Sequence, residues 1–239
     1  MGLALAVEAH LPRRLGSQHK PLSTHYVVSI KLWTIVHPIC RVGDMLPSAP
    51  DTAATRAAVN LVNEVSDASL VGHVWRTWFF GRQLIAEHVH DADLEVGFVA
   101  AMLHDLGLTA GFDCDAPFEQ AAAAAAADTL TGLGWPQDRI ALTTAAIGQH
   151  LDLASAEARP EIALVHLGAA ADVIGLRVDN LPDELIEEVL NTYPRQGFVD
   201  AVLPALERQV ERKPESTIAQ LFRAVRFGDL MRACPLDAR

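Results

Sequence analysis

The chain has 239 residues, half of them hydrophobic and few aromatic, and a formal net charge of −11. That length supports a substantial core, and the alanine-rich, aromatic-poor mixture suits close-packed helices and argues against a β-sandwich. The acidic balance sets the overall field against nucleic acid and anionic membrane, so neither is expected as a partner, although a locally positive or metal-charged pocket would still admit an anionic substrate.

Residues 1–50 read as an irregular N-terminal extension. They hold many of the basic residues and four histidines, His10, His19, His25 and His37, whose spacing matches no metal motif. Within them the segment from Tyr26 to Val36 alternates in parts and suits a short strand or a packing arm. Met45 stands close to where the helical pattern begins.

Residues 51–239 read as one all-α domain, a compact multi-helix bundle. Apolar residues recur at three and four over Thr52 to Val65. A second helix is expected over Ser69 to His88, and a third over about Leu94 to Leu106, stopped by Gly107. Gly111 to Pro117 reads as a loop. Phe118 to Leu130 contains seven consecutive alanines, a strong helix former. Pro136 starts the next helix, which runs to His150. A loop with Pro160 leads into Ile162 to Gly175. Pro182 and Pro194 open two further helices, Pro204 kinks or breaks its own, and a last helix runs from Glu215 to about Met231. There is no dinucleotide-type glycine motif, no phosphate loop and no internal repeat.

The cysteines, Cys40, Cys114 and Cys234, are odd in number and lack CxxC spacing, which suits reduced thiols in a cytoplasmic protein. No apolar run approaches the ~20 residues of a membrane span. The start of the chain lacks the basic region of a signal peptide.

The residues that carry chemistry are His104-Asp105, ending an apolar stretch, with His73 before them and Asp172 after. Imidazole nitrogens and carboxylate oxygens brought together from three helices are the parts of a divalent metal site. An aspartate in an apolar helix costs several kcal/mol to bury unless it is paired or coordinated. A shared metal would satisfy both aspartates. The competing explanation is a buried salt bridge to Arg76 or Arg82.

Three stretches, Val71-Gly-His73-Val-Trp-Arg76-Thr-Trp-Phe-Phe-Gly81, Ala100-Ala-Met-Leu-His104-Asp105-Leu-Gly107-Leu-Thr109 and Ala171-Asp172-Val-Ile-Gly175, resemble the HD-domain superfamily of metal-dependent hydrolases. The chain is most similar to its cyanamide hydratase-like group, which also shows a Phe-Glu pair before an alanine-rich helix, here Phe118-Glu119. The resemblance spans roughly residues 51–175. It departs at Val74, where the group has serine, so a hydrogen bond tuning the site is absent.

The resemblance implies an HD-type helical bundle and an enzyme, a hydrolase or hydro-lyase. Its ligands would be His73, His104, Asp105 and Asp172 around one divalent transition metal, zinc or iron foremost, with manganese, cobalt and nickel compatible. Metal-activated water would act on a small molecule such as a cyanamide- or nitrile-type compound. Asp105 would also accept a proton, with His150 and Glu119 as further catalytic candidates. Arg76, Trp78 and Phe112 are the substrate-binding candidates, though aromatics at helical spacing also serve simply as core. His166, six residues before Asp172, is expected on a different helix face.

Two other functions compete: a phosphohydrolase acting on a nucleotide or other phosphate ester, and a non-enzymatic sensor or scaffold. Phosphate binding calls for cations, and residues 97–175 offer only Arg139 and Arg159, with Arg76, Arg82 and Arg177 outside that stretch. Acidic helical domains often self-associate, so a homo-oligomer is compatible with the chain, and no residue specifies its order.

Overall fold

A computed structural model describes residues 46–239; the expected N-terminal arm and its four histidines lie outside them. The described residues contain ten α-helices and five short 3-10 segments joined by turns and loops, with no strand among them. The all-α expectation is met.

The order is α1 (Ala53–Val65), α2 (Ala68–Leu84), α3 (Leu94–Leu103), α4 (Phe118–Gly132), α5 (Gln137–Gly148), α6 (Pro160–Ile174), α7 (Asp183–Thr192), α8 (Phe198–Arg212), α9 (Thr217–Val225) and α10 (Phe227–Arg232). The starts are chemically marked. Thr52, Asp67, Asp93 and Ser216 each accept a hydrogen bond from a first-turn amide at the start of α1, α2, α3 and α9. Pro160 opens α6, and Gly175, at φ 73°, closes it in the left-handed conformation that glycine adopts without a Cβ penalty.

Helices α2, α3 and α6 form the centre. Along α3, every residue from Val96 to Leu103 is buried, and α6 is buried from Glu161 through Ala169. Such helices are apolar all round because neighbours cover every face. The most extensive helix contact joins α2 to α6. Its closeness comes from Gly81 and Gly168: a Cβ at Gly81 would overlap the carbonyl oxygen of Leu164, and one at Gly168 would overlap that of Thr77. Backbone meets backbone there, and this fixes His73 on α2 relative to α6.

Two expected helices are subdivided. The second ends at Leu84 and continues as a 3-10 segment, Ala86–Asp91, with His88 and His90 in its last turn. The last breaks at Arg226, which takes a left-handed φ of 53° between α9 and α10. That break turns α10 back against α8 and α6. Together with Phe118, helices α8 to α10 build a second apolar cluster beside the main core.

Candidate metal centre

His73 sits in the middle of α2, while His104 and Asp105 sit where α3 ends. Adjacent residues within a regular helix point about 100° apart. At Asp105 the backbone has left the helix, with φ −107° and ψ 10°, and this lets the two neighbours converge. His73 Nε2 lies 3.2 Å from His104 Nε2 and 3.3 Å from Asp105 Oδ2, and His104 Nε2 lies 3.4 Å from the same oxygen. All three residues are buried, and they form a group able to hold a metal ion.

The spacing can be tested against metal geometry. Ligands about 2.05 Å from a tetrahedral centre stand about 3.3 Å from one another. The three separations straddle that value. Three protein ligands with a fourth position open is also the usual arrangement of catalytic zinc.

The ring tautomers agree. His104 Nδ1 donates to the Ala101 carbonyl at 2.8 Å, and His150 Nδ1 donates to that of Ile147 at 2.7 Å. His73 Nδ1 donates to Asp172 Oδ2 at 2.7 Å, and His166 Nδ1 donates to the His150 carbonyl at 2.8 Å. Carbonyl and carboxylate oxygens only accept, so each Nδ1 carries the proton and each neutral ring keeps its lone pair on Nε2. All four histidines line one cavity together with Asp105.

Electrostatics follow from burial and charge. Burial works against a proton on His73, but Asp105 and Asp172 outweigh it and raise its pKa. Burial pushes His104 down to about 3, and it also lowers His150 and His166. Burial alone would raise Asp105, yet the surrounding imidazoles hold it well below the usual carboxylate range. The two carboxylates therefore favour positive charge at His73, while burial disfavours it at the other three imidazoles.

Asp172 lies outside the three-residue group. The resemblance makes it a fourth ligand; the structure places it behind His73, with both oxygens engaged. Arg76 donates from Nε to Oδ1 at 2.7 Å and from Nη2 to Oδ2 at 2.9 Å. The salt bridge to Arg76 that competed with metal ligation is thus present. Four of the five Arg76 N–H donors are thus engaged, since its Nη1 also bonds the carbonyls of Tyr193 and Pro194, and Arg76 does not line the cavity. A carboxylate hydrogen-bonded to a ligand imidazole is a common orienting arrangement in metal sites.

The other expected residues divide. His150 joins the site, its Nε2 3.8 Å from Asp105 Oδ1 and its ring 4.9 Å from that of His104. Glu119 is buried beside the cavity without lining it; its Oε2 has no partner, and burial raises its pKa. Trp78 is fully buried edge-on to Phe98, and Phe112 packs on the same core. Neither lines the cavity: Trp78 packs within α2 and Phe112 in the turn that precedes α4.

Three participants were not legible as such. His166 faces the cavity, although it was expected to point away. Arg195 donates to the Asp172 carbonyl at 3.0 Å and pairs with Asp237. Phe198 packs its ring against His73 at 5.2 Å, with the guanidinium groups of Arg76 and Arg195 over it.

No protein-family model matches this chain, and no curated protein matches it either.

Proposed function

We propose that the protein is a metal-dependent hydrolase or hydratase of the HD type, acting on a small uncharged molecule. The observation that supports this most directly is the trio His73 Nε2, His104 Nε2 and Asp105 Oδ2, spaced 3.2 to 3.4 Å apart and each available as an electron-pair donor. Those residues would hold one divalent ion. Two imidazoles and a carboxylate with an open position suit zinc or iron(II), and manganese, cobalt and nickel accept the same donors. Such an ion lowers the pKa of water towards neutrality and polarises an electrophile beside it.

The protein's side chains supply the rest. Asp172 and Arg76 keep the His73 ring turned with Nε2 inward. Asp105 Oδ1 and His150 Nε2, 3.8 Å apart, form an acceptor pair that would take one proton from an attacking water and return it to the heteroatom of the product. His166 extends this row of acceptors along the cavity wall.

Phosphate ester hydrolysis is the weaker reading, because no Lys or Arg lines the cavity among the described residues. The test is metal content by plasma mass spectrometry on the full chain and on His104→Ala and Asp105→Ala, followed by a screen of nitriles against phosphate esters. About one equivalent, lost in both variants, with turnover of nitriles, is the expected result. Absence of metal after reconstitution would overturn the proposal.

A further inference from the structure

The cavity that ends at His73, His104 and Asp105 has a volume of about 210 Å³. Its polar lining is confined to those three residues, His150 and His166; every other lining residue is apolar. The walls come from α6 with Ala169 and Val173, from α8 with Val202 and Leu206, and from α9 with Ile218. These side chains are buried or half-buried.

The outer end differs. Five large hydrophobic side chains are exposed among the described residues, and four of them line this cavity: Leu153 at 71%, Val225 at 45%, Leu176 at 39% and Leu230 at 38%. Single exposed leucines are ordinary on protein surfaces, whereas a cluster at one opening marks a place where an apolar ligand or partner displaces water.

We propose that the cavity binds the hydrocarbon part of an uncharged substrate, with the reacting group at the histidines and the apolar body running out towards Leu153, Val225 and Leu230. The reacting end rests on the metal reading given above, and the apolar end rests on the cavity itself. An apolar cavity of about 150 Å³ holds benzene, so this one has room for a short alkyl chain or a substituted ring and none for a protein segment. A nucleotide would need donors for its base and cations for its phosphate. The two arginines packed behind His73, Arg76 and Arg195, are both committed to Asp172. Ala169 and Ala170, small residues on α6, keep the wall shallow where the body would lie.

The test uses the full chain, with and without zinc, and two probe series titrated by calorimetry. One series runs from acetohydroxamate to octanohydroxamate, combining a metal-binding head with a lengthening tail. The other is the n-alkanols of matching length, added to the metal-free protein. Affinity is expected to rise about fourfold per methylene in both series until the cavity is full. Val225→Glu and Leu230→Glu, at exposed positions, should flatten the gain for the longer members and leave zinc content unchanged. Ala170→Leu should stop the gain at a shorter chain. Equal affinity at every length in protein that holds its zinc would overturn the proposal, as would tighter binding of alkyl phosphates than of the alkanols. A protein that takes up no zinc, yet binds the alkanols more tightly with length, would remove the metal reading and uphold the apolar site.

Discussion

Asp172 Oδ2 and His73 Nδ1 stand 2.7 Å apart across the α2–α6 contact, 99 positions apart in the chain. This hydrogen bond fixes the ring of a histidine in the middle of one helix with its Nε2 lone pair directed into the cavity. The carboxylate is in turn held by Arg76 from α2 and by Arg195 from the segment before α8, whose Nε lies 3.4 Å from Oδ1. Ring orientation therefore depends on a buried ion-pair network.

Asp172→Asn is expected to weaken metal binding by about 10–100-fold, as loss of an orienting partner typically does. It also leaves Arg76 and Arg195 short of their counter-charge, at a cost of roughly 3–5 kcal/mol in stability. Competition with a chromophoric chelator reads the first effect and urea unfolding the second. Unchanged affinity would show that His73 is held by packing alone.

Removing the metal should lower the melting temperature and readdition restore it. With free zinc at about a hundred times its Kd, the stabilisation is about 2.7 kcal/mol. Thermal unfolding with EDTA, then with zinc in excess, measures it. His104→Ala should show no difference between the two conditions.

The metal-free protein should lose stability as pH falls below about 6.5. His104, with its folded pKa lowered to about 3, stays neutral when folded and takes up a proton when unfolded, so its contribution is complete above the unfolded value and is lost towards pH 3. His150 and His166 are lowered as well and act in the same direction. His73 is raised and acts oppositely: its contribution is present below the unfolded value and disappears as pH rises through the folded one. Three groups oppose one, so acid destabilises. Urea titrations at several pH values in chelator check this, and His104→Asn should flatten the slope by up to about 1.4 kcal/mol per pH unit.

Gly168→Ala should cost at least 1–3 kcal/mol, because the new methyl would meet the Thr77 carbonyl, which is backbone and cannot rotate away. Gly132→Ala, at the end of α4 with open space around it, should instead stabilise by about 0.5–1 kcal/mol. Urea midpoints of the two variants provide the comparison.

The helices were legible because their punctuation is local. Thr52, Pro136, Pro160, Gly175 and Pro182 mark boundaries through backbone chemistry that acts within a few residues. His73, His104 and Asp105 stood out through the unlikelihood of polar groups in apolar runs. The placement of Asp172 was not legible, because ligand and orienting carboxylate carry the same sequence signal. That ambiguity also displaced His166. Six helical residues rotate it roughly 120° from Asp172, as expected, but it is His166 that faces the cavity and Asp172 that faces Arg76. Arg195 lies between helices, where periodicity says nothing. The break at Arg226 follows from the packing of α10 on α6 and α8, a contact between distant parts of the chain.

The separation of His73 from Asp172 also bears on synthesis. A nascent chain that has emerged as far as α3 already carries His73, His104 and Asp105, yet the His73 ring has no carboxylate behind it. Its orienting partner arrives only with α6, and the second arginine later still, before α8. A fragment ending at α5 would offer a floppy, poorly selective set of donors. In the metal-binding reading, selection of the ion would wait until the central helices have docked, which would couple its acquisition to a contact between residues 99 positions apart.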